Sequence, residues 1–310
     1  MQNNDQLRYV RNADINFQQY DECLARSSNA RVYARSWYLN VTAGQWDLLV
    51  WGDYEYAMPL PVKMRWGVKF VHQPFFTQQL GIFPHPPDRV AREFLLALRK
   101  KFPFFQFQSL FPLSGEEMPG TTVVKRRNRI LSLEPGYEKL AARYSENTRR
   151  NLQKASASQL TLTESLSSEE YLRLKKESLK MRVPAESFAI LERLISESKR
   201  RGTGKIVGAT GQEGRVVAAT FLWEEEGRGY YLNAFSTPEG MQKSAAFAIV
   251  DHFICAHSGT PFTIDFKGSD NEGTDRFYRG FGAREENYFL TTFTRIPAFL
   301  FMIKDMLRPK

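Results

Sequence analysis

Thr263-Ile-Asp-Phe-Lys-Gly-Ser-Asp-Asn-Glu-Gly-Thr-Asp-Arg-Phe-Tyr-Arg-Gly-Phe-Gly-Ala283 is the stretch on which the reading of this chain turns. Ile264 and Phe266 alternate with polar neighbours, the period of a half-buried strand. Phe277, Tyr278 and Phe281 then recur at i, i+1 and i+4, a helical spacing. Gly280 and Gly282 flank Phe281, which suits a helix end followed by a tight turn. The next run, Tyr288 to Thr294, is rich in strand formers. The stretch therefore predicts a strand, a polar loop, a short amphipathic helix and a closing strand.

Upstream, the pattern predicts helices over 137–157, 168–180 and 187–201. Two hairpins follow, Lys205–Thr210 with Arg215–Trp223 and that strand with Tyr230–Phe235, and then an apolar helix over 244–257. The first half gives a blurred version of this order. A helix begins near Asp14, and a hairpin pairs Trp46–Trp51 with Tyr54–Leu60 across Gly52-Asp53. A strand at Val68–His72, the aromatic run Pro74–Phe83, an amphipathic helix over 89–101 and a strand over 102–110 come next. Glu134-Pro-Gly136 is a turn and the expected boundary. The expectation is an α+β chain of two tandem units, 1–135 and 136–296, with mixed, mostly antiparallel sheets flanked by helices. Residues 297–310 read as an apolar helix that packs back on the first unit or lies at a membrane surface.

The chain has 310 residues, 42% hydrophobic and 14% aromatic, enough for two cores. Its net charge of +9 is spread evenly: 18 basic against 13 acidic side chains in residues 1–140, and 25 against 21 in 141–310. A solvated basic surface accounts for this, as does an anionic partner such as RNA, a nucleotide or an anionic lipid surface. Cys23 and Cys255 have no Cys or His at ligand spacing, and His72, His85, His252 and His257 form no metal motif. The expectation is reduced thiols, no metal and a cytoplasmic location. The first residues lack a basic-then-apolar leader, and no window is long and apolar enough to span a bilayer.

A strand, a helix ending in Phe-Tyr-x-x-Phe-Gly and a further strand resemble the way acyltransferases of the GNAT superfamily close their cores. Two such units with basic character resemble the FemABX family, whose members add amino acids from aminoacyl-tRNA to peptidoglycan precursors. Tyr144-Ser-Glu-Asn-Thr-Arg-Arg-Asn-Leu-Gln-Lys-Ala155 is similar to that family's Ser-x-x-Thr-Arg-x-Asn-Ile-Arg-Lys-Ala segment. The resemblance implies transfer of an acyl or aminoacyl group to an amine, with a cell-envelope precursor as one acceptor. It implies aminoacyl-tRNA or acyl-CoA as donor substrate. The family's Phe-Lys pair is matched here by Phe277-Tyr278, so Lys267 or Arg279 would have to stand in for that lysine. A degenerate scaffold that binds an anionic ligand or RNA without turnover is the remaining alternative.

The candidate residues follow from what acyl transfer to an amine requires: an aligned carbonyl, donors for the developing oxyanion and a proton acceptor. Strand alternation puts Asp265 and Lys267 on one side. In a cleft, Asp265 could accept a proton and Lys267 hold a phosphate or carboxylate; a salt bridge on a solvated sheet face is the plainer reading. Tyr278 is a candidate acid for the leaving group, or a core-edge tyrosine. Glu272 and Asp275 suit a helix start. Asn233 and Ser236 lie where GNAT cores splay, or serve a turn.

Gln242, Lys243 and Ser244 precede the central helix, where GNAT enzymes hold the CoA pyrophosphate on a glycine-rich turn. Here Gly240 stands alone, so they read as an anion or acceptor site or as a plain capped turn. Arg149 and Arg150, with Lys154, offer phosphate contacts or a solvated helix face. Lys125, Arg126, Arg127 and Arg129 could extend an RNA track. Gln78 and Gln79 line the first unit's cleft or fill its core.

Overall fold

Val216-Val-Ala-Ala-Thr-Phe-Leu-Trp223 carries apolar side chains on both faces, as a strand covered on both sides requires. It anchors the second of two units into which the chain divides, residues 127–286; the first comprises 1–126 and 287–310. The structure is a computed structural model and describes residues 6–65, 67–113, 119–179, 183–212, 214–268 and 271–295. The C-terminal helix expected at 297–310 lies outside the described residues.

The first unit runs β1 (Leu7–Val10), α1 (Phe17–Ala25), α2 (Ser36–Thr42), β2 (Asp47–Trp51), β3 (Tyr56–Leu60), β4 (Val62–Arg65), β5 (Val68–Val71), α3 (Asp88–Lys101) and β6 (Phe104–Ser109). Strands β1, β2 and β3 form an antiparallel sheet in that order. Strands β4 and β5 form a hairpin, β5 meets β6 in parallel at Val71–Phe105, and residues 289–294 pair antiparallel with β6. Helix α3 turns Val90, Ala91, Phe94, Leu95 and Leu98 inward, the stripe its period predicts.

The aromatic run at 74–83 is an excursion between paired strands. Val62 pairs with Val71 but Ala57 bridges Phe83, so five residues on one side span twelve on the other. Gln78 and Gln79 are buried within it, and their amide groups make no hydrogen bond among the described residues.

The second unit runs β7 (Thr121–Ser132, entering from the first unit at residue 127), α4 (Tyr137–Ala141), α5 (Glu146–Ala157), β8 (Thr161–Thr163), α6 (Ser168–Glu177), α7 (Ala185–Arg201), β9 (Gly204–Thr210), β10 (Val216–Glu225), β11 (Arg228–Ser236), α8 (Pro238–Gln242), α9 (Ala245–His257), β12 (Thr263–Gly268), α10 (Glu272–Gly280) and β13 (Arg284–Thr294, leaving at residue 287). Its strands lie in the order β7-β12-β11-β10-β9-β8. All neighbours are antiparallel except β11 and β12. Buried Ile249, Val250, Phe253 and Ile254 of α9 join Leu222, Ile264 and Phe266 of the sheet in one core.

Three sequence expectations are corrected here. The helix expected over 137–157 is two helices, because Ser145 caps α5 by accepting the Thr148 N–H at 3.2 Å while its own N–H donates to Gly280 O at 2.8 Å. An internal N-cap ends one helix and starts the next. The helix expected over 168–180 stops at Glu177. The alternation of β12 breaks at Lys267. Asp265 faces Ile130 and Gly268 faces Asn128, a bulge of one extra residue, and Lys267 takes φ 67°.

Candidate functional site

Strands β11 and β12 pair only from Arg228–Thr263 to Tyr230–Asp265, although β11 continues to Ser236 and β12 to Gly268. Two bulges accompany this parting. One lies at Leu232, where β11 shifts register against β10, and the other at Lys267. A sheet that opens between two parallel strands exposes backbone and side chains at the strand ends, and this is where α/β folds accept ligands.

Aromatic side chains line the opening. The ring of Tyr278 stacks on Phe266 at 4.7 Å, and Tyr231 meets both edge-on or tilted, at 5.9 and 6.1 Å. Phe277 packs on Phe247 and Phe281 behind them. Burial pushes the Tyr278 phenol well above its ordinary value, helped by nearby Tyr231 and Asp265, so it stays neutral. Its hydroxyl has no hydrogen-bond partner among the described residues. Beneath it, the apolar space between sheet and α9 shrinks to about 10 Å³, bounded by Leu222, Tyr231, Val250 and Phe266.

Asp265 is fully buried. It receives Arg228 Nη1 at 2.8 Å, Asn128 Nδ2 at 3.1 Å and the Lys267 backbone N–H at 2.9 Å. Its ion partner is therefore Arg228, 37 residues away, on a buried face rather than a solvated one. Glu286 lies 3.9 Å from the same guanidinium. Burial lowers the Lys267 ammonium to about 8, against the opposing pull of the Asp265 carboxylate. An amine so tuned carries a proton at neutral pH and gives it up within reach of it.

The other candidates separate into those near this opening and those spent elsewhere. Asn233 stands on β11 past the parting, where its Oδ1 accepts the Tyr171 hydroxyl at 2.8 Å. One helical turn on, Lys175 Nζ donates to Ala234 O at 2.6 Å, and burial lowers its pKa. Tyr171 and Lys175 thus strap α6 across the end of β11. Sequence reasoning missed both, although their i, i+4 spacing placed them on one face of the helix. Ser236, near the end of β11, is opposite Ala218.

The turn before α9 is closed on itself. Thr237 caps α8 by accepting the Gly240 N–H, and Met241, Lys243, Ser244 and Phe247 donate their N–H groups to Thr237, Glu239, Met241 and Ser244 carbonyls. Lys243 pairs with Glu239 at 2.7 Å, Gln242 is exposed, and buried Ser244 donates its hydroxyl to Asn151 Oδ1 at 2.7 Å. A Cβ on Gly240 would meet Val217 O at 2.1 Å, so that glycine serves close packing on β10.

The segment 144–155 resolves into two faces. Thr148 and Ala155 are buried and Asn151 is half-buried, Ser145 is exposed but donates its N–H to Gly280 O, and a Cβ on Gly280 would come within 2.4 Å of Thr148 Oγ1. Arg149, Arg150 and Lys154 are exposed. Asp275, at the start of α10, is buried under Arg129 at 2.7 Å, which holds its carboxyl below the usual range. Arg129 also lies 3.4 Å from Glu285 and is withdrawn from any basic track.

No profile of a known protein family matches this chain, and no curated protein matches it. Solved structures do. FemX superposes with a TM-score of 0.62 over 91% of this chain and 96% of that one, at 11% identity. A conserved protein of unknown function from Bacteroides thetaiotaomicron gives 0.56 over 91% and 98%, also at 11% identity. L-PGS from Bacillus licheniformis gives 0.50 over 92% and 94%, at 13% identity. At these identities the likeness is one of fold. The chain has an α+β fold of helices and mixed sheets similar to that of FemX.

Proposed function

We propose that this protein is an acyltransferase that moves an aminoacyl group from an aminoacyl-tRNA to an amine acceptor, in the manner of the FemABX family. The observation that carries the donor assignment is the closed turn at 237–244. A CoA pyrophosphate needs free N–H groups at the start of the central helix. Here those of Gly240, Met241, Lys243, Ser244 and Phe247 are bonded within the turn, so at the start of α9 at most those of Ala245 and Ala246 remain for a phosphate. The fold likeness to FemX and the Ser145-x-x-Thr148-Arg149-x-Asn151 segment support the same reading.

In this reading the opening between β11 and β12 receives the ester carbonyl and the attacking amine. The amine nitrogen forms a bond to the carbonyl carbon, the bond from that carbon to the ribose oxygen breaks, and the nitrogen's proton ends on the ribose oxygen. Lys267 supplies a cation beside the developing oxyanion. Tyr278 offers a neutral hydroxyl to the leaving oxygen. Asp265, committed to Arg228 and the Lys267 N–H, holds the bulge rather than accepting a proton. A cell-envelope precursor is the acceptor class the family resemblance brings.

Thermal unfolding with a panel of acyl-CoA thioesters and with charged tRNA tests the donor, because a ligand of the native state raises the midpoint by mass action. The expected result is a salt-sensitive rise with charged tRNA and none with acyl-CoA. A dose-dependent rise with an acyl-CoA overturns the donor. Binding of charged tRNA without transfer of its labelled amino acid to any amine offered overturns the enzymatic reading.

A further inference from the structure

The bulge at Leu232 divides the end of β11 between the two faces of its sheet. It sets Tyr231 opposite Leu222 and Asn233 opposite Phe221. Leu222 and Tyr231 belong to the core beneath α9, so Asn233 turns to the other face, where α6 lies. There Tyr171 places its ring 5.6 Å from Phe235 and its hydroxyl on Asn233 Oδ1. Lys175, one helical turn later, bonds Ala234 O. Asn233 and Ala234 both stand past Tyr230, the last β11 residue that β12 pairs.

This strap leaves two donors unspent. An ammonium has three N–H groups, and Lys175 Nζ gives one to Ala234 O. No carboxylate pairs with it among the described residues, and burial alone lowers its pKa. Asn233 engages Tyr171 through Oδ1, and its Nδ2 donates to nothing among the described residues. Both side chains are half-buried, recessed yet open to a ligand. A half-buried ammonium whose one partner is a carbonyl is destabilising until an anion completes it. A nucleic-acid backbone is met by rows of exposed cations, whereas one recessed ammonium beside one amide matches a single compact anion. We infer that Lys175 and Asn233 form a subsite for one anionic group, a carboxylate or a phosphate, carried by the amine acceptor. That the anion belongs to the acceptor rests on the transfer reaction proposed above; that an anion binds does not. In that reaction the subsite anchors the acceptor on the α6 side of the opening and favours amines that carry an acid.

The test begins with an NMR titration of the lysine side-chain amines of the full chain with acetate, with inorganic phosphate and with chloride at fixed ionic strength. Lys175→Arg, which keeps the charge, assigns the signal. The Lys175 signal should shift saturably with acetate or phosphate and not with chloride. Asn233→Asp keeps an oxygen for the Tyr171 hydroxyl and replaces the free amide by a carboxylate beside Lys175. It should weaken anion binding about ten-fold or more, as loss of a charge-assisted hydrogen bond does. Transfer from charged tRNA is then compared for glycine against glycinamide and for phosphoethanolamine against ethanolamine. The anionic member of one pair should be preferred about ten-fold. Lys175→Met should remove that preference and Lys175→Arg should keep part of it. A Lys175 signal that no anion moves, or that chloride moves equally, overturns the subsite. Transfer that ignores the charge of the acceptor also overturns it and leaves the transfer reading standing. Anion binding without transfer to any amine upholds the subsite and overturns that reading. Loss of charged-tRNA binding in Lys175→Met would make the anion a tRNA phosphate and overturn its assignment to the acceptor.

Discussion

Asp265 Oδ1 accepts the backbone N–H of Lys267 at 2.9 Å while Oδ2 accepts Arg228 Nη1 at 2.8 Å, so one buried carboxylate joins an ion pair to a bulge. The ion pair fixes Asp265, and the bulge it anchors ends the alternation of β12 and gives Lys267 its left-handed backbone. Removing the carboxylate leaves half-buried Arg228 with Glu286 at 3.9 Å. Asp265→Ala should therefore lower stability by about 3–5 kcal/mol in urea titrations. Asp265→Asn keeps an acceptor for the Lys267 N–H and should cost less than Asp265→Ala. Equal losses would mean that the hydrogen bond to the bulge contributes nothing.

The Asp265 charge also raises the Lys267 pKa against the stronger effect of burial. Neutralising it in Asp265→Asn should move the Lys267 ammonium below about 8, which an NMR titration of the labelled lysine side chain reads without any substrate. An unmoved or raised value would show that the carboxylate does not act on this amine.

Lys267 has a consequence for stability as well. Its folded pKa lies below that of the unfolded chain, so between the two the unfolded state binds more protons and stability rises with pH. The charged amine is a burden below about 8, and that burden lifts progressively toward the ordinary lysine value. Lys267→Met removes it at every pH. The advantage of Lys267→Met over the parent should be largest at pH 7 and shrink between pH 8 and 10. Urea midpoints at pH 7, 8.5 and 10 measure this, and a constant difference would refute it.

Helices α5 and α10 touch through Gly280 and Thr148, where a Cβ would come within 2.4 Å of Oγ1. Gly280→Ala should destabilise by about 1–3 kcal/mol through overpacking. Because the hardest clash is with the Thr148 side chain, with Ser145 Oγ next at 3.2 Å, adding Thr148→Ala should return part of that loss, giving a non-additive double-mutant cycle. Additive costs would mean that the helix backbone, and not Thr148, sets the approach.

Much of the second unit was legible because its signals are local. The apolar runs of β9, β10 and β11 are separated by glycine-containing turns, and the apolar α9 has a length no strand reaches. The Phe277, Tyr278 and Phe281 spacing located α10. What stayed hidden depends on contacts remote in sequence or on backbone detail. Arg228 carries no mark that it closes on Asp265, and a bulge at a lysine breaks an alternation that the residue types themselves support. The cap at Ser145 is written in the sequence, but good helix formers on both sides mask it. Asn151 was quoted as part of a motif, yet only the fold reveals that it receives the Ser244 hydroxyl and ties α5 to the start of α9.

That division of α5 into an inward and an outward face yields the last expectation. Arg149 and Arg150 are exposed on a helix that buries Thr148 and Ala155, so their charge can serve binding without a cost to folding. Arg149→Gln and Arg150→Gln should each leave the unfolding midpoint close to the parent's, since exposed substitutions away from packing stay within about 0.5 kcal/mol. If these arginines contact tRNA phosphates, each substitution should weaken charged-tRNA binding. It should also reduce the slope of log affinity against log salt by about 0.7 to 0.9, the counterions one phosphate contact releases. Filter binding over a series of salt concentrations supplies both numbers. A weaker affinity with the slope unchanged would assign the loss to something other than a phosphate contact, and an unchanged affinity would remove α5 from the RNA interface.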